Sequence, residues 1–378
     1  MTEIFLILAL LLFLAKLFGE VFERLGLTSI VGEVFAGIIA GPVLGVVISG
    51  PFFESFILVS IALLLFIAGL GVRYEDISQN IYISATLATA GGFLSFIFGF
   101  AVGMLFFNDL LVALAIGIIL ITTSNGTVFI LLMKLGKFKS SIGRLIVSTS
   151  VADDVVGILS LSFFTLFIAN SAVPYGDIFK LFLVSIGFYL VILTAGARIF
   201  NKVLNIGGLF RNEQILFSLP ISIMFIVSVF TENINLGFAT GAFVAGMAIS
   251  KSKFTESIIV PKVNVLAYGF VLPVFFAIIG SLLTLNGMNP LLVILLLAAA
   301  VFGKIIGAGL LSRFFGVRGN NLRLMSIMMV PRGDSNIVIA QIALLLGVIT
   351  QDIYTSVIFS IILTIILTPV LLKLFVGK

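Results

Sequence analysis

Apolar runs of about twenty residues recur along the whole chain, each closed by a few polar or charged positions. About 20 residues at 1.5 Å each cross the ~30 Å hydrocarbon layer of a bilayer. The pattern therefore predicts an all-α polytopic membrane protein with thirteen transmembrane helices. They fall near 3–23, 29–48, 55–72, 81–106, 110–133, 142–169, 177–201, 213–230, 234–250, 260–284, 289–312, 323–348 and 354–374. Thr231-Glu232-Asn233 is a short break between its two spans. The apolar start, Ile4–Leu14, lacks a basic leader and a small-residue cleavage site and reads as the first membrane helix. No loop is long enough for a soluble domain, so 1–378 reads as a single membrane transport domain.

Basic residues orient this layout. All of the 21 Lys and Arg except Lys16, Lys180, Lys304 and Arg332 fall in loops on one side or at the C-terminus. The opposite loops, such as Ser49–Glu54 and Thr350–Asp352, hold none. Positive charge marks the cytoplasmic side, which predicts a multi-pass cell-membrane protein with its N-terminus outside and C-terminus in the cytoplasm. It also accounts for the net charge of +5 without nucleic acid as a partner.

Composition narrows the chemistry. Hydrophobic residues make up 61% and charged residues 10%, against about a quarter charged in soluble domains. There is no cysteine and no histidine. Thiolate metal sites are excluded, no cofactor is implied, and proton chemistry near neutral pH falls to carboxylates or lysines.

Two predicted spans are interrupted by polar and helix-breaking residues. The fifth reads Leu110–Ile121, then Thr122-Thr123-Ser124-Asn125-Gly126-Thr127, then Val128–Met133. The twelfth reads Leu324–Val330, then Pro331-Arg332-Gly333-Asp334-Ser335-Asn336, then Ile337–Val348. Unwound backbone at membrane depth is tolerated only inside protein or beside a water-filled cavity. With 177–201 as a linker, spans 1–6 and 8–13 form two inverted six-helix repeats, each broken in its fifth helix. Such paired interruptions, forming crossing broken helices, point to a transporter's binding site.

Charges inside apolar spans are costly and mark functional pathways. Asp153 lies nine residues after Arg144, Lys304 nine before Arg313, Asn125 nine before Lys134 and Arg332 nine after Arg323. Each sits ~13 Å from the cytoplasmic side, close to the bilayer centre. Asp153 and Asp154 point about 100° apart on one helix, so one can pair with a cation while the other faces a cavity. Lys304, between Gly303 and Gly307, is the natural partner, being too deep to snorkel to the surface. Arg332 and Asp334 can neutralise the C-terminal and N-terminal half-helix ends of the twelfth span, or take part in transport. The Thr, Ser and Asn oxygens of the fifth span suit a hard monovalent cation. Glu33, early in span two, caps the helix or joins transport. Arg-Gly-Asp at 332–334 and the Asn125-Gly126-Thr127 sequon lie too deep for adhesion or glycosylation. Gly37, Gly41 and Gly45 read as helix packing.

These residues resemble the cation/proton antiporter superfamily, in particular its electrogenic, NapA-like sodium/proton branch. The resemblance covers essentially the whole chain. It rests on Gly32-Glu33, Ala36-Gly37 and Gly41-Pro42, on Thr122–Asn125, on Ala152-Asp153-Asp154, on Lys304, and on Pro331-Arg332-Gly333-Asp334. It implies Asp154 as the Na+ ligand, with Thr123, Ser124 and Asn125 beside it, and Asp153–Lys304 as an ion pair. Asp153 in place of Asn or Gln implies electrogenic exchange. It further implies a homodimer, with a core of 81–169 and 289–374 moving against a dimerisation part of 1–72 and 213–284. Asp334 departs from the commoner glutamate, and a nucleotide-binding tail of potassium-efflux relatives does not follow. The combined reading is a transporter and not an enzyme: a sodium/proton antiporter carrying Na+ or Li+ and protons through lipid. Potassium/proton exchange and sodium-coupled solute symport are the alternatives. An intramembrane aspartyl protease needs its aspartates on facing helices, which adjacent residues cannot supply.

Overall fold

The computed structural model describes residues 2–46, 48, 50–72, 81–169, 187–210, 212 and 214–376. Arg73, Lys180, Arg211, Lys378 and residues 177–186 of the predicted linker lie outside them. All regular elements among the described residues are helical.

In chain order the helices are α1 (Thr2–Arg24), α2 (Ser29–Val43), α3 (Pro51–Leu70), α4 (Ile81–Phe107) and α5 (Leu110–Ile119). They continue with α6 (Asn125–Lys134), α7 (Ser141–Ala169), α8 (Gly187–Gly207), α9 (Ile215–Asn233) and α10 (Phe238–Ile249). The last are α11 (Thr255–Ser281), α12 (Pro290–Phe315), α13 (Gly319–Met328), α14 (Asp334–Leu345) and α15 (Gln351–Phe375). Among the described residues nine are long and apolar enough to cross a bilayer: α1, α3, α4, α7, α8, α9, α11, α12 and α15. Helices α2, α5, α6, α10 and α14 are shorter and apolar.

Both predicted interruptions are present, but they are placed differently from the polar runs. Helix α6 begins at Asn125 rather than Val128, and α14 at Asp334 rather than Ile337. Residues 122–124 and 331–333 are unwound as expected, while the rest of each polar run forms the first turn of the helix that follows, with its caps. Ser124 Oγ accepts from the Thr127 amide at 3.4 Å, and Asn336 Oδ1 accepts from the Gly333 amide at 2.9 Å. The second predicted span is also shorter than 29–48. Pro42 has no N–H to give, so the helix widens into a π-turn over Ile39–Val43 and stops.

The chain forms two compact units. The first comprises Met1–Ile48, Glu75–Gly157 and Phe276–Lys378; the second comprises Ser49–Tyr74 and Ile158–Phe275. Where lipid replaces water, helices gain by close backbone approach, and small residues allow it. In the first unit a Cβ on Gly37 would strike the Ala277 carbonyl, and one on Gly280 the Val34 carbonyl, so α2 and α11 touch through backbone. A Cβ on Gly41 would lie 2.6 Å from the Ser281 carbonyl; Gly45 instead has open space and a φ of +71°, so it turns the chain rather than packs a helix. Helices α4 and α12 meet in the same way, with Gly303 on Ser95 and Gly307 on Ala90 and Gly91. Leu87, Val128, Ile146, Met325 and Met328 join α4, α6, α7 and α13 in one apolar cluster. In the second unit Gly69 and Gly246 bring α3 and α10 together, and the buried Ser162 and Thr240 hydroxyls bond at 2.6 Å.

Candidate functional site

The site lies within the first unit, where the break between α5 and α6 crosses the break between α13 and α14. Each interruption leaves half-helix ends whose amides and carbonyls need partners. The two breaks supply them to each other. Ser124 N–H donates to the Pro331 carbonyl at 2.8 Å, and Thr123 Oγ1 lies 3.1 Å from the Met329 carbonyl. Asn336 Nδ2 donates to the Ile119 and Thr122 carbonyls at 2.6 and 3.2 Å, closing the end of α5 from the first turn of α14. From α15, Thr364 Oγ1 accepts from the Arg332 amide at 2.8 Å.

Against this crossing, α7 presents its two aspartates to different partners. Asp153 is fully buried; its Oδ2 accepts from Lys304 Nζ of α12 and from Thr123 Oγ1 at 2.7 Å. Asp154, 4% exposed, meets only neutral donors: Asn125 Nδ2 on Oδ2 and Ser335 Oγ on Oδ1 at 3.1 Å. The carboxylates thus divide as adjacent helical positions must, one on a cation and one between an amide and a hydroxyl.

Lys304 ends the α-helical part of α12, which winds on as a π-turn over Ile305–Gly309. Arg332 is fully buried, and its guanidinium bonds groups outside its own half-helix. It donates to the Thr122 carbonyl at 2.7 Å, to Ser95 Oγ at 3.0 Å and to the Ala300 carbonyl at 3.0 Å. Its hydrogen bonds reach a carbonyl just past the end of the other broken helix, α5, and none runs to a carbonyl of α13. Asp334 occupies the first turn of α14, half-buried, where the Ser335 amide faces its carboxylate. Its acidic neighbour is Asp154.

Of the remaining predicted residues, Ser124 turns its hydroxyl to Thr127 at 3.0 Å and caps α6, making no bond to either carboxylate. Glu33 is buried on α2, 4.0 Å from half-exposed Lys16 of α1, apart from the crossing. Sequence reasoning gave no role to Asn336, Ser335, Ser95 or Thr364. The first two stood inside a polar run already noticed, and a capping residue three positions after a glycine was the available signal. Ser95 and Thr364 carried no signal, since lone hydroxyls in long apolar helices ordinarily bond their own backbone.

Residues 9–378 match the transmembrane sodium/hydrogen exchanger family. The probable Na(+)/H(+) antiporter GerT of Bacillus cereus is 31% identical over 369 residues, covering 97% of each chain. The Na(+)/H(+)-K(+) antiporter GerN of the same organism is 30% identical, covering 99% of this chain and 97% of its own. The Na(+)/H(+) antiporter of Enterococcus hirae is 24% identical over 98% of both. The structure of the sodium proton antiporter MjNhaP1 from Methanocaldococcus jannaschii at pH 8 superposes with a TM-score of 0.72 over 98% of this chain and 96% of that one, at 18% identity, a likeness of fold. A helical chain of this apolarity, matched along nearly its full length, belongs to the sodium/hydrogen exchanger family of multi-pass membrane antiporters, within the cation/proton antiporter superfamily.

Proposed function

We propose that this chain exchanges Na+ or Li+ for protons, electrogenically, by alternating access at the two buried carboxylates of α7. The observation that carries the reading is the unequal pairing of Asp153 with Lys304 and of Asp154 with Asn125 and Ser335 alone. With all groups ionised, Asp153, Asp154 and Asp334 against Lys304 and Arg332 leave one net negative charge. A monovalent cation or a proton on Asp154 removes it. An empty charged site would carry the burial penalty of an uncompensated ion, which suppresses leak. Asp154 is then the cargo ligand, Asn125 and Thr123 set its surroundings, and the Asp153–Lys304 pair carries the further proton that makes exchange electrogenic. These groups titrate as one coupled set.

The architecture proposed with it is thirteen spans in two inverted repeats, an outside N-terminus and a homodimer. A core of 81–169 and 289–374 moves against 1–72 with 213–284 about a linker at 177–201. In proteoliposomes Asp154→Asn is expected to abolish sodium-driven proton flux, and retained flux refutes the assignment. Lys304→Ala is expected to lose sensitivity to membrane potential or lose activity; unchanged electrogenicity removes Lys304 from the mechanism. The name of the GerN relative, a Na(+)/H(+)-K(+) antiporter, supports a second reading in which K+ also serves as cargo, tested by proton flux on adding each alkali cation.

A further inference from the structure

Several hydroxyls buried in the long helices bond their own backbone, as Ser and Thr inside a helix ordinarily do. Thr149 of α7, Ser312 of α12, and Ser360 and Thr368 of α15 each donate to a carbonyl three or four residues back, at 2.6 to 2.8 Å. Ser335 differs. It is the second residue of α14, so no turn of its own helix precedes it, and its hydroxyl reaches across to Asp154 Oδ1 at 3.1 Å. The residue is buried, and its amide faces the carboxylate of Asp334, the acidic neighbour of Asp154. Ser335 thus stands between two acids of the site. The other oxygen of Asp154 is held by Asn125, the first residue of α6. Each broken helix therefore gives Asp154 one side chain, from the first turn of its second half.

The two partners are not chemically equivalent. An amide nitrogen only donates. A serine oxygen has one proton to give and two lone pairs to offer, and its proton rotates about the C–O bond while the helix stays still. In the proposed exchange Asp154 takes three forms, and Ser335 answers each. An ionised carboxylate needs a donor, which the hydroxyl supplies. A protonated one is itself a donor, and the hydroxyl accepts. With a cation on the carboxylate, a group that touches the ion must present an oxygen, and the hydroxyl does so by turning its proton away. The Asn125 nitrogen has no lone pair to offer; that residue would have to turn its whole amide over. The separation of Ser335 Oγ and Asp154 Oδ1, 3.1 Å, is short enough for one hard cation to touch both, since an ion of calcium's size takes its oxygens at about 2.3–2.6 Å.

We propose that Ser335 is a specificity-determining cargo ligand: its Oγ joins Asp154 Oδ1 on the carried cation and sets the preference for the smaller alkali ions. An oxygen dipole acts more strongly on an ion that sits closer, so the hydroxyl favours Li+ and Na+ over larger ions. Being neutral, it adds a contact without altering the charge that one monovalent cargo balances. The inference rests on the antiport reading above and deepens it at the same site.

The test is cation-driven proton flux in proteoliposomes, giving KM and turnover for Li+ and Na+ separately, with the thermal stability of each purified variant alongside. Ser335→Ala removes the oxygen and is expected to raise the Na+ KM about tenfold, as the loss of a contact to a charged group does. The Li+ KM is expected to rise about threefold more than that of Na+, because the smaller ion sits closer to each oxygen. Ser335→Cys nearly keeps the shape, but sulfur is a weak acceptor and a soft ligand, so this variant is expected to behave like Ser335→Ala. Ser335→Thr keeps the hydroxyl and is expected to recover most of the loss, together with the wild-type ratio of the two KM values. A hydroxyl that only orients Asp154 predicts equal rises for both ions on its removal. Equal rises, an unchanged Na+ KM in Ser335→Ala, or a wild-type Na+ KM in Ser335→Cys overturns the assignment. Should Ser335→Thr fail to fold, the other two variants decide alone. If Asp154→Asn abolishes exchange while Ser335→Ala keeps both KM values, the ligand assignment falls and the antiport reading stands; if Asp154→Asn retains exchange, the reading itself falls.

Discussion

Lys304 and Asp153 are both withdrawn completely from solvent and lipid, and this makes their pairing measurable by a thermodynamic cycle. Removing one partner of a buried pair leaves an uncompensated charge and costs about 3–5 kcal/mol, whereas replacing both by neutral groups of similar volume is close to neutral. Lys304→Met keeps the length of the side chain and strips its charge. Asp153→Asn keeps the shape and an acceptor for Thr123 Oγ1, which now lies 2.7 Å from Oδ2. The two single changes are not equivalent. Asp153 is the acidic neighbour of Arg332 as well as the partner of Lys304, so Lys304→Met leaves the carboxylate with one cation nearby, while Asp153→Asn takes that carboxylate from two.

Asp153→Asn is therefore expected near the upper end of that range and Lys304→Met near the lower, with the double variant within about 1–2 kcal/mol of wild type. The coupling energy would then exceed about 3 kcal/mol, far beyond the tenths expected of independent sites. Thermal unfolding of the four purified proteins in one detergent gives the order: wild type and double variant together, Lys304→Met lower, Asp153→Asn lowest. Additive losses, with the double variant lowest of all, would refute the claim that burial of an unpaired charge governs these residues.

Two further outcomes follow from the crossing. Asn125→Ala removes the amide from Asp154 and is expected to raise the sodium KM in proteoliposomes about tenfold, as a charge-assisted hydrogen bond is worth about 1.5–3 kcal/mol; an unchanged KM removes Asn125 from the cargo shell. Asn336→Leu leaves the Ile119 carbonyl and the Gly333 amide without partners, at about 1–3 kcal/mol each, so the melting temperature should fall clearly. Melting of Asn336→Leu indistinguishable from wild type would show that the breaks do not depend on this side chain.

Hydropathy made the helical membrane architecture legible, because bilayer thickness imposes one length on most of the segments. It also showed that the spans at 110–133 and 323–348 are broken. The register of the breaks was not legible. A run such as Ser124-Asn125-Gly126-Thr127 reads equally as unwound chain or as a capped first turn, and the difference is made by a hydroxyl aimed at an amide three residues on. The partner of Lys304 could be inferred because charge and depth left one economical choice. The partner of Arg332 could not: its reach to the Thr122 and Ala300 carbonyls is set by how α4, α5 and α12 pack, which no local pattern encodes.

That placement of Arg332 changes what the aspartates of α7 are available for. Interrupted helices bring partial charges of both signs into the membrane, and a carboxylate or a lysine nearby can be consumed in neutralising them. Here the end of α5 is closed by Asn336 and Arg332, the start of α6 by Ser124, the Pro331 carbonyl beyond α13 by the Ser124 amide, and the start of α14 by Asn336 together with Asp334. None of these tasks falls to Asp153, Asp154 or Lys304. Because the breaks satisfy one another, the three costliest groups contributed by unbroken helices hold their charge for something else. A carboxylate with only an amide and a hydroxyl for company, one residue from a carboxylate that already has its cation, is on the proposed reading the site whose missing charge is delivered by what the protein carries.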